Sequence, residues 1–292
     1  MAGQTQSEIR ALLASVGLSP RHRYGQNFLI DLNLMRKVVE AADLRPADTV
    51  LEVGCGTGSL TEMLLAAGAY VVGVEIDRGL QDLLRSRLGE NARFSLVAGD
   101  VLAGKHRINP GVLAELGRRI PAAPGQYKLV ANLPYQVATP LLMELLYIQP
   151  HFGRLTCTIQ KEVGERLIAA PDTEAYGPIS VIAATLADVR LVATFPPTAF
   201  WPRPKVESVL VDIKPLSDPP IVAPDIPAFV EFVRGSFLHR RKTIKNVLQA
   251  LIGRAAADAV LAGAGVNPQT RPEALGPPVW RNLFERFRAA CP

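Results

Sequence analysis

The fold of this chain is decided by the stretch Val50-Leu-Glu-Val-Gly-Cys-Gly-Thr-Gly58. Its first half is an apolar run that predicts a buried strand, and its second half is a glycine loop followed by a helical pattern over 59–67. Glycines at such a junction accept backbone angles closed to other residues and let a ligand approach the main chain closely. The stretch therefore predicts the ligand-binding turn of an α/β sheet.

Strand and helix patterns alternate on both sides of this turn. We predict helices at 7–16, with Ser7 as N-cap, and at 33–42, 59–67, 79–88 and 139–147. The predicted strands cover 49–53, 70–74, 94–98, 127–131, 155–160, 189–195 and 206–213, the last as an edge strand. This alternation indicates right-handed βαβ units and a parallel sheet.

Two domains follow from the proline-rich segment 216–227, which is typical of a linker, and from the helical periodicity at 229–237, 243–252 and 279–287. We predict one domain over 1–216 and a small helical domain over 217–292. The segment 103–126 interrupts the alternation and predicts an insertion with one short helix, whose role stays open.

Composition restricts the classes of protein that fit. The 292 residues are 48% apolar, enough for one large core and a smaller one, and no apolar run approaches the ~18 residues of a membrane span. Three unpaired cysteines argue against a disulfide framework and favour the cytoplasm, and four scattered histidines predict no metal site. The N-terminus lacks the pattern of a signal peptide.

Charge is unevenly distributed along the chain. Residues 46–100 contain eight acidic and four basic side chains, whereas 234–254 contain six basic and no acidic ones. The basic run could simply solvate a helix, but its lack of acids favours a nucleic-acid partner. We predict that phosphates are bound by five side chains: Lys205, Arg240, Arg241, Lys242 and Lys245.

Two carboxylates end successive predicted strands beside the glycine loop. Glu75 could accept ribose hydroxyls and Asp100 the amino group of an adenine, because ligands bind at the carboxyl ends of parallel strands. A solvated strand end and a loop cap are the alternatives for either acid alone. NAD also carries an adenosine, but its motif needs a glycine pattern that Ser59 breaks.

The tetrapeptide Asn132-Leu-Pro-Tyr135 follows the strand at 127–131. The Asn132 amide oxygen and the Pro134 carbonyl can accept the hydrogens of an exocyclic amine, and the Tyr135 ring can stack on a base. This combination predicts methyl transfer to adenine, and no side chain need act as a strong base. Phe200, in a rigid turn predicted to be exposed, could cover the other face of the base; a core aromatic is the alternative.

Seven blocks of this sequence resemble the ribosomal RNA adenine dimethyltransferases of the KsgA type. The blocks lie at 24–31, 50–58, 73–77, 131–135, 176–177, 200–206 and 239–246. The resemblance implies a class I S-adenosylmethionine-dependent methyltransferase fold, Rossmann-like, with a seven-stranded mostly parallel sheet and a small C-terminal helical domain. It also implies dimethylation of two adjacent adenosines in the last hairpin of small-subunit ribosomal RNA. We expect the immature small subunit as the partner and a monomeric protein.

The same resemblance assigns roles to individual positions. The implied cofactor-binding residues are Asn27 and Leu29 as a lid, Gly54 against the methionine portion, Gly56 in the same loop, Glu75 at the ribose, Asp100 at the adenine and Asn132 near the methyl group. The chain departs from the family at Cys55, where proline is frequent, and in its long insertion.

Three rival functions remain open at this point. A large-subunit rRNA methyltransferase of the macrolide-resistance type would share the pocket, although Leu133 favours the small-subunit enzymes. A non-catalytic ribosome assembly factor could use the same scaffold. A nicotinamide-dependent oxidoreductase is the third.

Overall fold

The computed structural model describes residues 3–104, 107–119, 127–148, 151–238 and 242–290. Its contacts divide the chain into two compact units, the first formed by Met1–Gly164 and Arg190–Pro215 and the second by Glu165–Val189 and Leu216–Pro292. This division differs from the predicted boundary after residue 216. Residues 165–189 belong to the second unit because the helix Pro178–Leu186 packs on other helices of that unit.

The helices in chain order are α1 (Gln6–Ser15), α2 (Leu32–Ala41), α3 (Ser59–Ala66), α4 (Arg78–Leu88), α5 (Pro110–Arg118), α6 (Tyr135–Leu145), α7 (Lys161–Leu167), α8 (Pro178–Leu186), α9 (Ile226–Phe237), α10 (Ile244–Ile252), α11 (Arg254–Ala264) and α12 (Pro277–Ala290). The strands are β1 (Phe28–Leu29), β2 (Thr49–Val53), β3 (Tyr70–Glu75), β4 (Phe94–Ala98), β5 (Leu102–Gly104), β6 (Arg107–Ile108), β7 (Tyr127–Asn132), β8 (Phe152–Gln160), β9 (Ala187–Phe195), β10 (Phe200–Trp201) and β11 (Ser208–Pro215).

A seven-stranded sheet has the order β4-β3-β2-β7-β8-β11-β9. The first five of these strands are parallel to their neighbours, and β11 runs antiparallel to β8. The strands β2 and β7 are buried along their lengths apart from the last residue of β7, as expected for central strands covered by helices on both faces. The sheet confirms the prediction of a mostly parallel α/β fold.

The strand β11 corrects one expectation. We predicted an edge strand at 206–213, but β11 lies between β8 and β9, and its first six residues are buried. Its polar side chains are buried because they are paired: Asp212 accepts hydrogen bonds from Arg154 at 2.6 Å and Arg190 at 2.6 Å. A polar–apolar alternation therefore does not mark a solvated face here.

Several helices start earlier than predicted, and α1 and α6 show the reason and the consequence. The N-cap of α1 is Thr5 rather than Ser7, because Thr5 and Glu8 form a capping box in which the Thr5 N–H donates to Glu8 Oε2 at 2.6 Å. The helix α6 begins at Tyr135, four residues before the predicted start, so it follows the tetrapeptide directly. The described part of the insertion contains the predicted short helix, α5, and the β5–β6 pair.

The second unit is helical, as predicted for the C-terminal region. Helices α9 and α12 bury a cluster of aromatic rings, in which Phe229 meets Phe284 edge-to-face at 5.3 Å and Phe232 meets Trp280 in the same way at 6.0 Å. Tyr176 joins this core and donates a hydrogen bond to the Leu275 carbonyl at 2.7 Å. The unit therefore has a hydrophobic core of its own.

Candidate active site

A cavity opens at the carboxyl ends of β2, β3 and β7, within the first unit. It encloses about 1270 Å³ including its mouth. The predicted residues that line it are Asn27, Leu29, Gly54, Gly56, Glu75, Asp100, Asn132, Pro134 and Tyr135. The structure thus brings together nine residues that the sequence placed at one site.

The glycine loop lies between a lid and the tetrapeptide. Gly54 and Gly56 have φ angles of +77° and +59°, which side-chain-bearing residues rarely adopt. A Cβ atom at Gly54 would lie 3.1 Å from Pro134 Cγ, and one at Gly56 would lie 2.9 Å from a ring carbon of Phe28. The absence of side chains is therefore what lets the lid and the tetrapeptide approach the loop.

The carboxylate of Glu75 is buried and held by the main chain. Its Oε2 accepts from the Gly56 N–H at 2.9 Å and its Oε1 from the Asp77 N–H at 2.9 Å. Burial raises the pKa of Glu75, and these two N–H donors counteract part of the rise. Each oxygen keeps a further lone pair, so the carboxylate can still accept hydroxyl groups.

Glu52 is a second buried carboxyl group in the wall of the cavity, and sequence reasoning missed it. Burial raises the pKa of Glu52 to about 8, although Thr61 donates a hydrogen bond to its Oε2 at 2.6 Å. The neighbouring Cys55 is buried as well, which raises the pKa of its thiol. A carboxyl group inside an otherwise apolar strand was the only sequence feature that could have marked Glu52.

Asp100 lies exposed at the cavity wall and also caps its own loop. Its Oδ1 accepts from the Leu102 N–H at 2.9 Å, and its carbonyl accepts from Asn109 Nδ2 at 2.9 Å. Asp100 is therefore both a loop cap and a cavity residue: one carboxylate oxygen accepts from the loop, and the residue lines the cavity.

The side chain of Asn132, at the end of β7, is held from two sides. Its Nδ2 donates to the Asn27 carbonyl at 2.9 Å, and its Oδ1 accepts from the Thr158 hydroxyl. The Pro134 carbonyl already accepts from the Val137 N–H at 3.1 Å. Both acceptors predicted for a target amine thus make one protein hydrogen bond each and retain one lone pair.

Tyr135 begins α6 and lines the cavity with its ring half-buried. Its hydroxyl is hydrogen-bonded to Ser208 Oγ at 3.0 Å, and burial raises the pKa of the phenol. Both ends of this side chain are therefore fixed, which suits a ring that offers one face to a planar ligand.

Phe200 corrects another expectation. The turn predicted to be exposed is the strand β10, which pairs with β1, and the Phe200 ring is only 3% exposed. The ring packs in the hydrophobic core beside Phe195, with the centroids 6.4 Å apart, and it does not line the described cavity. In this structure the core-aromatic alternative describes the ring, and a stacking role stays a prediction.

The lid comprises residues 24–29 and is anchored at both ends. Its strand β1 pairs with β10, and Arg21, just before the lid, forms an ion pair with Asp77 at 3.0 Å. Gln26 donates to the same carboxylate at 3.3 Å. Asn27 and Leu29 accordingly reach the cavity from a segment tied to the strand end that carries Glu75.

The N-terminal segment makes a contact with the end of the glycine loop that no sequence pattern predicted. Gln4 is buried, and its N–H donates to Ser59 Oγ at 2.7 Å while its Nε2 donates to the Thr57 carbonyl at 3.2 Å. The Thr57 hydroxyl donates back to Gln4 Oε1 at 2.6 Å. Gln4 therefore braces the end of the glycine loop, 53 residues away in sequence.

The predicted phosphate-binding residues fall in different parts of the structure. Lys205 is exposed in the first unit, and Lys242 is exposed in the second. Lys245 forms an ion pair with Asp258 at 2.9 Å. Arg240 and Arg241 lie outside the described residues.

The described ranges contain neither a cluster of metal ligands nor a membrane-spanning helix. No group of three or more metal-ligating side chains occurs there. None of the helices in the described part of the chain is both long and apolar enough to cross a bilayer.

Comparisons with known proteins give a consistent result. Residues 17–288 match the family model described as ribosomal RNA adenine dimethylase. The ribosomal RNA small subunit methyltransferase A of Moorella thermoacetica is 39% identical over 274 residues, covering 93% of this chain and 94% of that protein. Its namesake from Streptomyces griseus is 40% identical over 275 residues, covering 92% and 90%.

Solved structures agree in fold. A dimethyladenosine transferase from Plasmodium falciparum superposes with a TM-score of 0.72 at 22% identity, covering 90% of this chain and 98% of that one. The 23S rRNA methyltransferase ErmE gives a TM-score of 0.62 at 26% identity, covering 90% and 100%. These likenesses confirm the predicted class I methyltransferase fold with its helical C-terminal region.

Proposed function

The chain belongs to the ribosomal RNA adenine dimethylase family, and on that premise we propose that it dimethylates the N6 amines of two adjacent adenosines in the 3′-terminal hairpin of small-subunit (16S) ribosomal RNA. The methyl donor in this proposal is S-adenosylmethionine. The main observation in support of this function is the cavity, which is lined by the glycine loop and Glu75 together with Asn132 and Tyr135. The names of the relatives from Moorella thermoacetica and Streptomyces griseus support the small subunit as the source of the substrate.

The residues of the cavity fit such a donor. Gly54 and Gly56 leave the main chain open to close approach, Glu75 keeps lone pairs for ribose hydroxyls, and Asp100 offers a carboxylate to an adenine amino group. When bound by these residues, S-adenosylmethionine would supply an electrophilic sulfonium methyl group for transfer to the target amine.

Asn132 acts on the target amine in this proposal. The lone pair of an adenine amine is delocalised into the ring, so the amine is a poor nucleophile. Acceptance of its hydrogens by Asn132 Oδ1 and the Pro134 carbonyl lets the nitrogen become pyramidal, and it stabilises the positive charge that develops on it. Both acceptors are neutral and already held in place by the protein. No strong base is needed, because the amine becomes acidic only as the new bond forms.

Tyr135 holds the base during this step. Stacking on an aromatic ring is worth roughly 1–3 kcal/mol per base, which offsets part of the cost of drawing the base out of its own stack. The bond from the Tyr135 hydroxyl to Ser208 fixes the ring before the base arrives.

ErmE, which is 26% identical to this chain, is named as a methyltransferase of 23S rRNA and represents the large-subunit alternative. The curated relatives named for the small subunit reach 39% and 40% identity over nine-tenths of the chain, and they favour the small-subunit target. A non-catalytic assembly factor would not need the cavity residues that this chain retains. We further propose that the protein works in the cytoplasm, as a monomer, on the immature small subunit.

The proposal predicts that Asn132→Ala lowers kcat by about 10²- to 10³-fold, the usual loss for one preorganised group at a reacting centre. The measurement is transfer of labelled methyl groups to small subunits that lack this methylation, with the modified bases then mapped. Asn33→Ala, an exposed asparagine outside the cavity, is the control. A near-normal rate for Asn132→Ala would contradict the assigned mechanism, and a wild-type protein that methylates no adenosine would contradict the function itself.

A further inference from the structure

We infer that Thr158 is a positioning residue for methyl transfer: its hydroxyl donates to the Asn132 amide oxygen and holds that oxygen in place for the target amine. The inference rests on the proposed function, because it assigns Thr158 to the group that receives the target amine.

The contact follows from the register of the sheet. Asn132, the last residue of β7, is the direct partner of Thr158 on the parallel strand β8, and the Leu133 N–H donates to the Thr158 carbonyl at 3.1 Å. Thr158 is 1% exposed, so its hydroxyl is closed off from bulk water. The hydroxyl meets Asn132 Oδ1 within hydrogen-bond distance.

Chemistry decides which way the Asn132 amide points. A main-chain carbonyl can only accept, so the atom 2.9 Å from the Asn27 carbonyl has to be the Asn132 nitrogen. The amide oxygen then faces Thr158, whose hydroxyl has to be the donor. The reverse orientation would set two acceptors against each other at Asn27.

This orientation matters for the reaction because the target amine is itself a donor. An amide turned by 180° would present its NH₂ group to that amine, donor against donor. Thr158 occupies one lone pair of Asn132 Oδ1 and leaves the other for the amine. Asn27 belongs to the lid and Thr158 to the sheet, so the amide is fixed between two elements.

The hydroxyl of Thr156, on the same strand β8, provides a comparison for that of Thr158. Thr156 is also buried, two residues earlier on the same face, yet the described part of the chain offers its hydroxyl no hydrogen-bond partner. Replacing Thr156 by valine removes a hydroxyl from the same face and leaves Asn132 untouched. It is therefore the matched control for Thr158.

The test compares Thr158→Val, Thr158→Ser and Thr156→Val in the full chain with small subunits as substrate. Thr158→Val keeps the shape of the side chain but loses the donor, and the Asn27 anchor remains. We expect kcat to fall about 5- to 10-fold, the range of one lost hydrogen bond, with KM for the subunit unchanged within about twofold. Thr158→Ser should restore most of kcat, and Thr156→Val should keep the wild-type value.

A second readout does not depend on activity. The ¹H–¹⁵N side-chain resonance of Asn132, identified by its loss in Asn132→Asp, should shift in Thr158→Val and keep its position in Thr158→Ser and Thr156→Val. An active wild type with unchanged kcat in Thr158→Val, or an unshifted Asn132 resonance, would overturn the inference. An inactive wild type would contradict the proposed function instead, and the resonance would still decide the role of Thr158.

Discussion

Glu52 and Glu75 are neighbouring buried carboxyl groups, and their hydrogen-bond donors differ. Glu75 has a main-chain N–H on each oxygen, an arrangement that stabilises its charged form. Glu52 has the Thr61 hydroxyl on one oxygen, and burial raises its pKa to about 8. At neutral pH Glu52 is therefore mostly a neutral acid beside the group proposed to bind ribose.

Glu52→Gln should change how stability depends on pH. Glu52 has a pKa of 4.5 when unperturbed and about 8 in the folded state, so the folded state holds one more proton between these values. The stability that this group contributes is complete below pH 4.5 and is lost as pH rises through 8, at roughly 1 kcal/mol per pH unit. The uncharged glutamine has no such dependence.

The measurement for this substitution is thermal unfolding of both proteins across that pH window. The Tm of Glu52→Gln should increase relative to that of the wild type as pH rises. The difference should become constant above the pKa of Glu52 in the folded state. Parallel curves for the two proteins would show that the Glu52 pKa is not raised.

Single residues also show which positions the sequence could place at one cavity. Glu75, Asp100 and Asn132 were identifiable because each follows a strand that periodicity reveals, and parallel strands end at a common edge. Thr158 and Ser208 were not identifiable, since their partners are set by which strands lie side by side. A sequence pattern indicates a strand but not its lateral neighbour.

At the scale of elements, the N-terminal segment and the glycine loop form one structure. Helix α1 packs its residues Ile9 and Leu13 against Leu80 and Leu83 of α4, and Ile9 also lines the cavity. This packing brings Gln4 to the end of the glycine loop. The segment ahead of the family match, which begins at residue 17, therefore supports the predicted cofactor site.

Gln4→Ala should weaken binding of S-adenosylmethionine about fivefold, the equivalent of one net hydrogen bond, because the Thr57 carbonyl and hydroxyl lose their partner. The change should appear in Kd measured by calorimetry and leave kcat at saturating donor close to wild type. Ser15→Ala, at the exposed C-terminal end of α1, is the control. Equal Kd values for both variants would exclude a role for Gln4 in the loop.

Two helices that sequence analysis missed, α8 and α11, have little polar–apolar contrast in their sequences. Helix α8 is buried at seven of its nine residues, so it shows no amphipathic period. Helix α11 is rich in alanine, which gives little hydrophobic contrast between its faces. The strands β2 and β4, by contrast, have the predicted bounds, because glycine or polar residues delimit short apolar runs.

At the scale of the whole molecule, the basic charge predicted to meet RNA is partly neutralised within the protein. Lys245 pairs with Asp258, whereas no ion pair within the described ranges involves Lys205 or Lys242. The free lysines are therefore better placed than Lys245 to release counterions from RNA.

Lys242→Ala should accordingly weaken RNA binding more than Lys245→Ala does. For a single-stranded contact, the slope of log affinity against log salt should fall by about 0.7 with Lys242→Ala and by less with Lys245→Ala. Filter binding of the hairpin RNA over a range of salt concentrations measures both slopes. Identical slopes in wild type and Lys242→Ala would contradict a role for Lys242 in RNA binding. A wild-type affinity that does not depend on salt would contradict RNA binding by the whole basic segment.

The pairing of β1 with β10 links the position of Phe200 to the position of Leu29. Phe200 is shut inside the core by the same two-residue ribbon that carries Leu29 to the cavity wall. Leu29 and Phe200 are direct partners in this ribbon. The predicted stacking of Phe200 on a base would therefore require its partner Leu29 to move as well, so entry of a base would be coupled to the residue predicted to cover the methyl donor.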